Sequence, residues 1–352
     1  MSPDCFVTDV PDRSLVIEFR ARDGMLHGIV ALIFGVAILA APLATDAQQA
    51  SRVPRIGYLE FGTAAPGTPL LEAFRQGLRD LGWVEGQNIA VEVRYAEGSA
   101  NQLPELAAEL VRRKVDLIFA STTAAALAAK HATTTIPIVI GFVGDPVGSG
   151  VVASLARPGG NITGWTHLAG LELAGKRLEL IKETVPGVTR IGALWNPANP
   201  GNGPFVKELE AAAQMLKVQL HPVGVQDPKE LDNAFAALAR QRAEALMVVA
   251  DGMLLAQRDR IIALAARSRL PAMYPSTDLV EAGGLMAYSV NLPEMYRRGA
   301  SYVDRILKGA RPADLPVERP SRFHLVINLR TAKALGLTIP PSLLLRADRI
   351  IE

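Results

Sequence analysis

Arg55-Ile56-Gly57-Tyr58-Leu59 returns 135 residues later as Arg190-Ile191-Gly192-Ala193-Leu194. Each run is short and mostly apolar, the length of a buried strand. The same succession follows both: an amphipathic helix, a polar-flanked strand, a second helix, an apolar strand, a third helix and a Pro-started strand. Pro137-Ile138-Val139-Ile140 is matched by Pro271-Ala272-Met273-Tyr274, 134 residues on. The chain is therefore read as two similar α/β lobes, and a cleft between lobes is a usual place for a small ligand.

Working outward, strands are expected over 55–61, 89–95, 116–120 and 137–143. Leu71, Phe74, Leu78 and Leu81 mark one helix face, Leu103, Leu106, Leu110 and Val111 another, and 124–131 is a short Ala-rich helix. The second copy places strands at 190–196, 219–225, 245–250 and 272–274. Helices over 205–216, around Leu231, Phe235 and Leu238, and over 258–267 separate them. Alternation of this kind predicts an α/β fold: two Rossmann-like, doubly wound lobes with parallel sheets covered on both faces. Three connections are expected to form a hinge on which the lobes close. They are 161–164, with Thr163 and Gly164 as hinge residues, the region of Ser289, and the Pro-rich 311–320. The first lobe would then be 54–163 plus 290–311, and the second 164–289 plus 312–352.

Residues 29–41 are unbroken small and apolar, the length of a signal h-region and short for a membrane span. Small residues lead to a cleavage point expected after Ala47. Residues 1–47 are thus read as an export segment, with translation starting nearer Met25. The chain carries 37 Lys/Arg and 35 Asp/Glu, a net charge of +2. Removing 1–47 leaves 34 Lys/Arg (37 less three) and 29 Asp/Glu (35 less six), a net +5 with no basic run. That is no nucleic-acid footprint. Cys5, the single cysteine, leaves with the segment. About 300 residues bury enough apolar surface without a disulfide.

Parallel sheets bind ligands outside the carboxyl ends of their strands, and here those ends are polar or Gly-rich. Thr63 follows the first strand. Ser121, Thr122 and Thr123 open a helix, where N–H groups and hydroxyls hold a carboxylate or simply cap. Gly144 allows close backbone approach, and Asp145 is either a ligand contact or a turn residue. Trp195 offers a stacking face, Trp165 a stacking or hinge-packing ring, in a chain only 5% aromatic. Asn196 and Asn199 offer amides or plain Asn-Pro turns. Asp251 would pair with a ligand ammonium, or turn the chain before Gly252. Tyr274 ends a strand at the same edge, though at least one of Tyr58, Tyr274 and Tyr288 should be core.

Enzyme signatures fare poorly. Gly170–Lys176 starts like a phosphate loop, but Arg177 replaces the Ser/Thr and the surroundings read as one continuous helix. His131, His167, His221 and His324 show no metal-ligand spacing, and no Gly-x-Ser-x-Gly elbow occurs. No catalytic residue, metal or cofactor is expected.

Several longer stretches are more specific: Phe74-Arg75-Gln76-Gly77-Leu78, Leu81-Gly82-Trp83-Val84-Glu85-Gly86-Gln87-Asn88, Ala132-Thr133-Thr134-Thr135-Ile136-Pro137, Gly144-Asp145-Pro146-Val147, Arg157-Pro158-Gly159-Gly160-Asn161-Ile162-Thr163-Gly164, Lys176-Arg177-Leu178-Glu179-Leu180, Ala282-Gly283-Gly284-Leu285-Met286 and Ile327-Asn328-Leu329-Arg330-Thr331-Ala332-Lys333-Ala334-Leu335-Gly336-Leu337. Together, over nearly all of the chain after residue 47, they resemble the ABC-transporter substrate-binding family related to the tryptophan-binding protein TrpX. The resemblance implies the type I periplasmic binding protein fold and capture of a small organic ligand in the periplasm. It also implies delivery to a membrane permease driven by a cytoplasmic ATPase, with membrane contact only through that permease. A monomer and an amino-acid-like, aromatic ligand are expected; a periplasmic sensor partner or an exported enzyme on the same scaffold are the alternatives. The family often has Asp-Pro-aromatic where this chain has Asp251-Gly252-Met253. It commonly has an Arg or aromatic where this chain has Ser276-Thr277-Asp278, so the ligand could differ from that of better-known relatives.

Overall fold

The computed structural model describes residues 52–64, 69–167 and 171–352. The export segment expected over residues 1–47 lies outside them. The first sheet holds β1 (Arg55–Glu60), β2 (Ala90–Tyr95), β3 (Leu117–Thr122), β4 (Ile138–Val143) and β5 (Ile162–Thr166), in the order β2-β1-β3-β4-β5. Every pairing in it is parallel. β3, β4 and β5 are buried along their whole length, as strands covered on both faces must be. Three helices connect them: α1 (Pro69–Asp80), α2 (Leu103–Arg112) and α3 (Thr123–Ala132). Leu71, Phe74 and Leu78 of α1 are buried as the spacing predicts. Leu81 is 40% exposed, because the helix stops at Asp80 and the chain turns through Gly82 at φ +87°.

The second sheet contains β6 (Arg190–Trp195), β7 (Gln219–Gly224), β8 (Ala245–Val248), β9 (Ala272–Tyr274), β10 (Met286–Ser289), β11 (His324–Asn328) and β12 (Arg349–Ile351). Its order is β12-β11-β10-β9-β8-β6-β7. Within it, β7-β6-β8-β9 repeats β2-β1-β3-β4, the structural counterpart of the sequence echo. The helices after residue 167 are α4 (Leu171–Thr184), α5 (Asn202–Met215), α6 (Leu231–Arg240), α7 (Gly252–Ala256), α8 (Arg258–Arg267), α9 (Thr277–Glu281), α10 (Leu292–Leu307), α11 (Leu329–Leu335) and α12 (Pro341–Arg346).

β11 runs antiparallel to β10, so this sheet is not wholly parallel as expected. The reason is topological. β10 ends at the cleft-facing edge, where the chain departs for the first lobe. It returns at that same edge and can only run away from it. Between departure and return, α10 packs on α1. Phe119 lies at 4.5 Å from Phe74 and 5.6 Å from Tyr296, ring centroid to centroid, and stacks on Tyr58 at 5.1 Å.

The chain thus passes between sheets after Thr166, after Ser289, and between Glu318 and His324. The first of these corrects an expectation. Residues 161–164 are not a connection; Thr163 and Gly164 lie inside β5. Thr163 is buried and its Oγ1 donates to the Leu315 carbonyl at 2.7 Å. Ile162, Thr163 and Trp165 carry the branched and aromatic side chains that strands favour. The glycine marks a close approach rather than a linker: Gly164 has φ +132°, and a Cβ there would sit 2.3 Å from the Ile140 carbonyl oxygen. Ser289, the last residue of β10, is at a crossing. The return segment also stays on the first lobe longer than the expected boundary at 311, since Glu318 N donates to Gly164 O at 3.0 Å and Thr166 N to Glu318 O at 3.1 Å.

Gly164→Val is expected to destabilise the chain by at least about 2 kcal/mol, since both its backbone angle and its neighbour forbid the side chain. Urea unfolding measures this, and a midpoint indistinguishable from the unsubstituted chain would show that β4 and β5 are not in tight register there.

Candidate ligand site between the lobes

In each sheet the strand order reverses beside the first strand of the lobe, between β1 and β3 and between β6 and β8. Helices leave such a point in opposite directions, so a crevice remains outside the strand ends. The two crevices face each other. Phe61 and Thr122, just after β1 and at the end of β3, line one wall of a cavity of about 550 Å3. Asn196 and Asp251, just beyond β6 and β8, line the other. The size suits a small organic molecule. At the margin of this cavity, and further along the seam, the lobes touch. A Cβ at Gly252 would lie 3.0 Å from Thr122 Cγ2 and 3.4 Å from Phe61, and one at Gly201 would lie 3.5 Å from the Gly144 backbone.

Asp251 organises the second-lobe wall and is 4% exposed. Its Oδ1 accepts from the N–H groups of Met253 (2.9 Å) and Leu254 (3.2 Å), capping α7, and from Asn196 Nδ2 at 3.2 Å. Its Oδ2 accepts from Asn199 Nδ2 at 2.8 Å and Asn202 Nδ2 at 3.5 Å. Those amides are themselves held, since Asn196 Oδ1 accepts from Ala198 N and Asn199 Oδ1 from Gly201 N. A buried carboxylate met by five N–H donors is compensated without a cation. The expected pairing of Asp251 with a ligand ammonium therefore meets oxygens already engaged, and the group acts first as the hub of an asparagine cluster.

The residues after β3 are likewise committed. Ser121 Oγ donates to Glu60 Oε1 at 3.0 Å, and its carbonyl accepts from Tyr296 Oη at 3.0 Å. Thr122 caps α3, accepting from Ala125 N at 3.3 Å, and still lines the cavity. Thr123 Oγ1 accepts from Gly144 N at 3.3 Å. Burial raises the Glu60 carboxyl above its ordinary value, against the Gly62 N–H, Ser121 and other donors that lower it.

Of the remaining candidates, Asn196 and Asn199 line the large cavity, while Gly144 lines a second, water-sized one. Thr63 is exposed and lines neither. Asp145 holds its own turn, accepting from Gly148 N at 2.8 Å. Trp195 belongs to the outer packing of β6. The period of two places it with Ile191 and Ala193, which pack among α4 and α5 residues. Tyr274 is buried in the core beneath Gly284, and that burial pushes its phenol up. Trp165 is buried against Tyr302, with the Arg298 guanidinium 4.3 Å from its ring centroid, so it packs the first lobe near the crossing.

Residues not singled out from the sequence complete the site. Ser99 and Asn101 follow β2, and Gln226 and Asp227 follow β7. The rule of carboxyl ends, applied to those edge strands as well, would have found them. His131, at the end of α3, carries no such signal. Among the described residues no group of three or more His, Cys, Asp or Glu stands together as a metal site.

His167, just after β5, stacks on Phe142 at 4.0 Å between centroids. Burial first, and the nearby Arg177 charge second, lower its imidazole to about 3. An unfolded imidazole takes up a proton below about pH 6.5 while this one resists until about 3, so acid across that window favours unfolding. Each pH unit there should cost at most about 1.4 kcal/mol. His167→Phe should flatten the slope in pH-dependent denaturation, and equal slopes for both chains would show the imidazole is not protected.

The relatives agree with this architecture. A tyrosine-binding protein of Clostridioides difficile is 26% identical over 322 residues, covering 89% of this chain and 92% of that one. Among solved structures, a conserved domain protein of Vibrio cholerae superposes with TM-score 0.79 at 28% identity, covering 85% of this chain and 100% of that one. The ABC domain of Streptococcus pneumonia in complex with L-Trp gives TM-score 0.79 at 28% identity, covering 85% and 99%. The fold is that of the type I periplasmic binding proteins. Residues 69–351 match the family model described as ABC transporter substrate binding protein, and the chain belongs to that family.

Proposed function

We propose that this chain captures an amino-acid-like ligand, aromatic in the first instance, in the interlobe cleft and delivers it to an ABC permease. Capture takes place outside the cytoplasm, after export directed by residues 1–47, and the permease is driven by a cytoplasmic ATPase. The observation that carries this reading is the shared wall of the large cavity. Phe61 and Thr122 come from one lobe, Asn196 and Asp251 from the other, so a guest held there touches both. A ligand that contacts both walls favours the closed arrangement by its differential affinity, and the three crossings are where the lobes would hinge. A micromolar ligand supplies about 8 kcal/mol, enough to shift such an equilibrium. The tyrosine-binding relative and the relative solved with L-Trp support an aromatic amino acid as the ligand class.

Thermal denaturation of the chain without residues 1–47, against a panel of amino acids, tests the reading. Stabilisation by L-tyrosine or L-tryptophan is expected, and no stabilisation by any amino acid would count decisively against it. Closure has its own test in Gly252→Leu, whose side chain would meet Thr122 and Phe61. Ligand affinity should fall by about tenfold or more while the unliganded melting temperature changes little, since the clash arises only when the lobes meet. Undiminished affinity would show that the lobes need not close at this point.

A further inference from the structure

An amino acid brings a carboxylate, and the large cavity offers it little. Among its described lining residues there is no Lys or Arg, and Asp227 and Asp251 contribute negative charge. The hydroxyls at the start of α3 are engaged within the first lobe, with the Glu60 carboxyl beside Ser121. A like charge there disfavours an anion.

The opposite polarity lies further along the same seam. A second cavity of about 10 Å3 is lined by Gly144 and His167 of the first lobe and by Asn202, Phe205 and Ala250 of the second. It shares a wall with the large cavity, since Asn202 belongs to the Asp251 cluster. Arg177 of α4 stands behind that lining, its Cζ 5.9 Å from the centroid of the Phe205 ring, one face of the cavity. The guanidinium is 2% exposed, donating from Nε to the Tyr288 carbonyl at 2.8 Å and from Nη2 to the Pro275 carbonyl at 3.3 Å. Nη1 has no partner among the described residues. Two more buried polar atoms nearby share that condition: Nδ1 of His167, which is 6% exposed, and Oγ of Ser276, next to Pro275. Burial lowers the Arg177 guanidinium to about 10, which leaves it charged at neutral pH. A buried cation answered only by two carbonyls is costly unless an anion joins it.

We propose that Arg177, with His167 and Ser276 beside it, receives the carboxylate of the amino-acid ligand. The assignment rests on the reading that the cleft binds an amino acid. Nη1–H and the Ser276 hydroxyl supply two donors for the four lone-pair sites of a carboxylate, and His167 supplies a third where Nδ1 carries the ring proton. The cavity as it stands has room for about one water. Its walls belong to different lobes, so a slight parting of the lobes admits the larger group.

Isothermal titration of the chain without residues 1–47 against L-tyrosine, L-tryptophan, tyramine and tryptamine tests the assignment. The unsubstituted chain should prefer each amino acid to its amine by about 30-fold or more, the worth of a charge-assisted pair. Arg177→Met should bring that preference to within about threefold while near-ultraviolet circular dichroism stays unchanged. A preference that survives Arg177→Met would overturn the proposal and assign the arginine to tying β9 and β10 together through a trapped water. Equal affinity of the unsubstituted chain for amine and amino acid would overturn it too, leaving the cleft reading intact. Binding of neither would remove both. Should Arg177→Met not fold, His167→Phe keeps the ring stack on Phe142 and removes Nδ1. It should cut the preference by about tenfold, and an unaltered preference would again overturn the assignment.

Discussion

The structure depends on a reversal. Beside β1, and again beside β6, the next strand is laid on the opposite side of the sheet, and the connecting helices diverge. The strand ends at that point open on the interlobe cavity. Polar groups there must find side chains, water, a guest or the other lobe. Duplicating the lobe and turning the copies face to face lets each crevice serve as the other's lid.

The two walls meet this demand with different chemistry. The second lobe uses an anion with no cation: Asp251 gathers two backbone N–H groups and three asparagine amides, which fixes the wall as one hydrogen-bonded unit. The first lobe closes its own polar groups among Ser121, Thr123, Glu60 and Tyr296. Among the described groups left without a partner are Arg177 Nη1, His167 Nδ1 and Ser276 Oγ, the first of them on a buried cation. The seam is therefore electrically uneven along its length, which suits the amino-acid ligand proposed above.

Much of this was legible from local patterns. Buried parallel strands read as short apolar runs, helices as faces of Leu and Phe, and both follow from backbone periods that need no tertiary information. Asn196, Asn199, Thr122 and Asp251 fall on the cavity wall because the rule of strand ends is a rule about topology, and the topology repeats. Trp195 is expected to stack because aromatic rings are rare in this chain, whereas it packs with Ile191 and Ala193 and is not among the described lining residues of either cavity. The sequence makes Thr163 and Gly164 look like a connection because glycine signals both a loop and a close approach. Only the neighbouring strand, with the Ile140 carbonyl against Gly164, distinguishes the two.

By itself the sequence determined the pairing of two similar lobes, their strand–helix alternation and the strand edge at which the cavity opens, because each follows from hydrophobic period and chain order. Tertiary structure alone decided which polar groups remain available. Whether Asp251 is free for a guest or spent on Asn196, Asn199 and Asn202 depends on side chains about fifty residues apart meeting across the turn after β6. Whether Arg177 is a surface helix residue or a buried charge depends on α4 lying over the ends of β9 and β10, roughly a hundred residues on. Such pairings are set by packing at long range, and no local window of residues contains both partners.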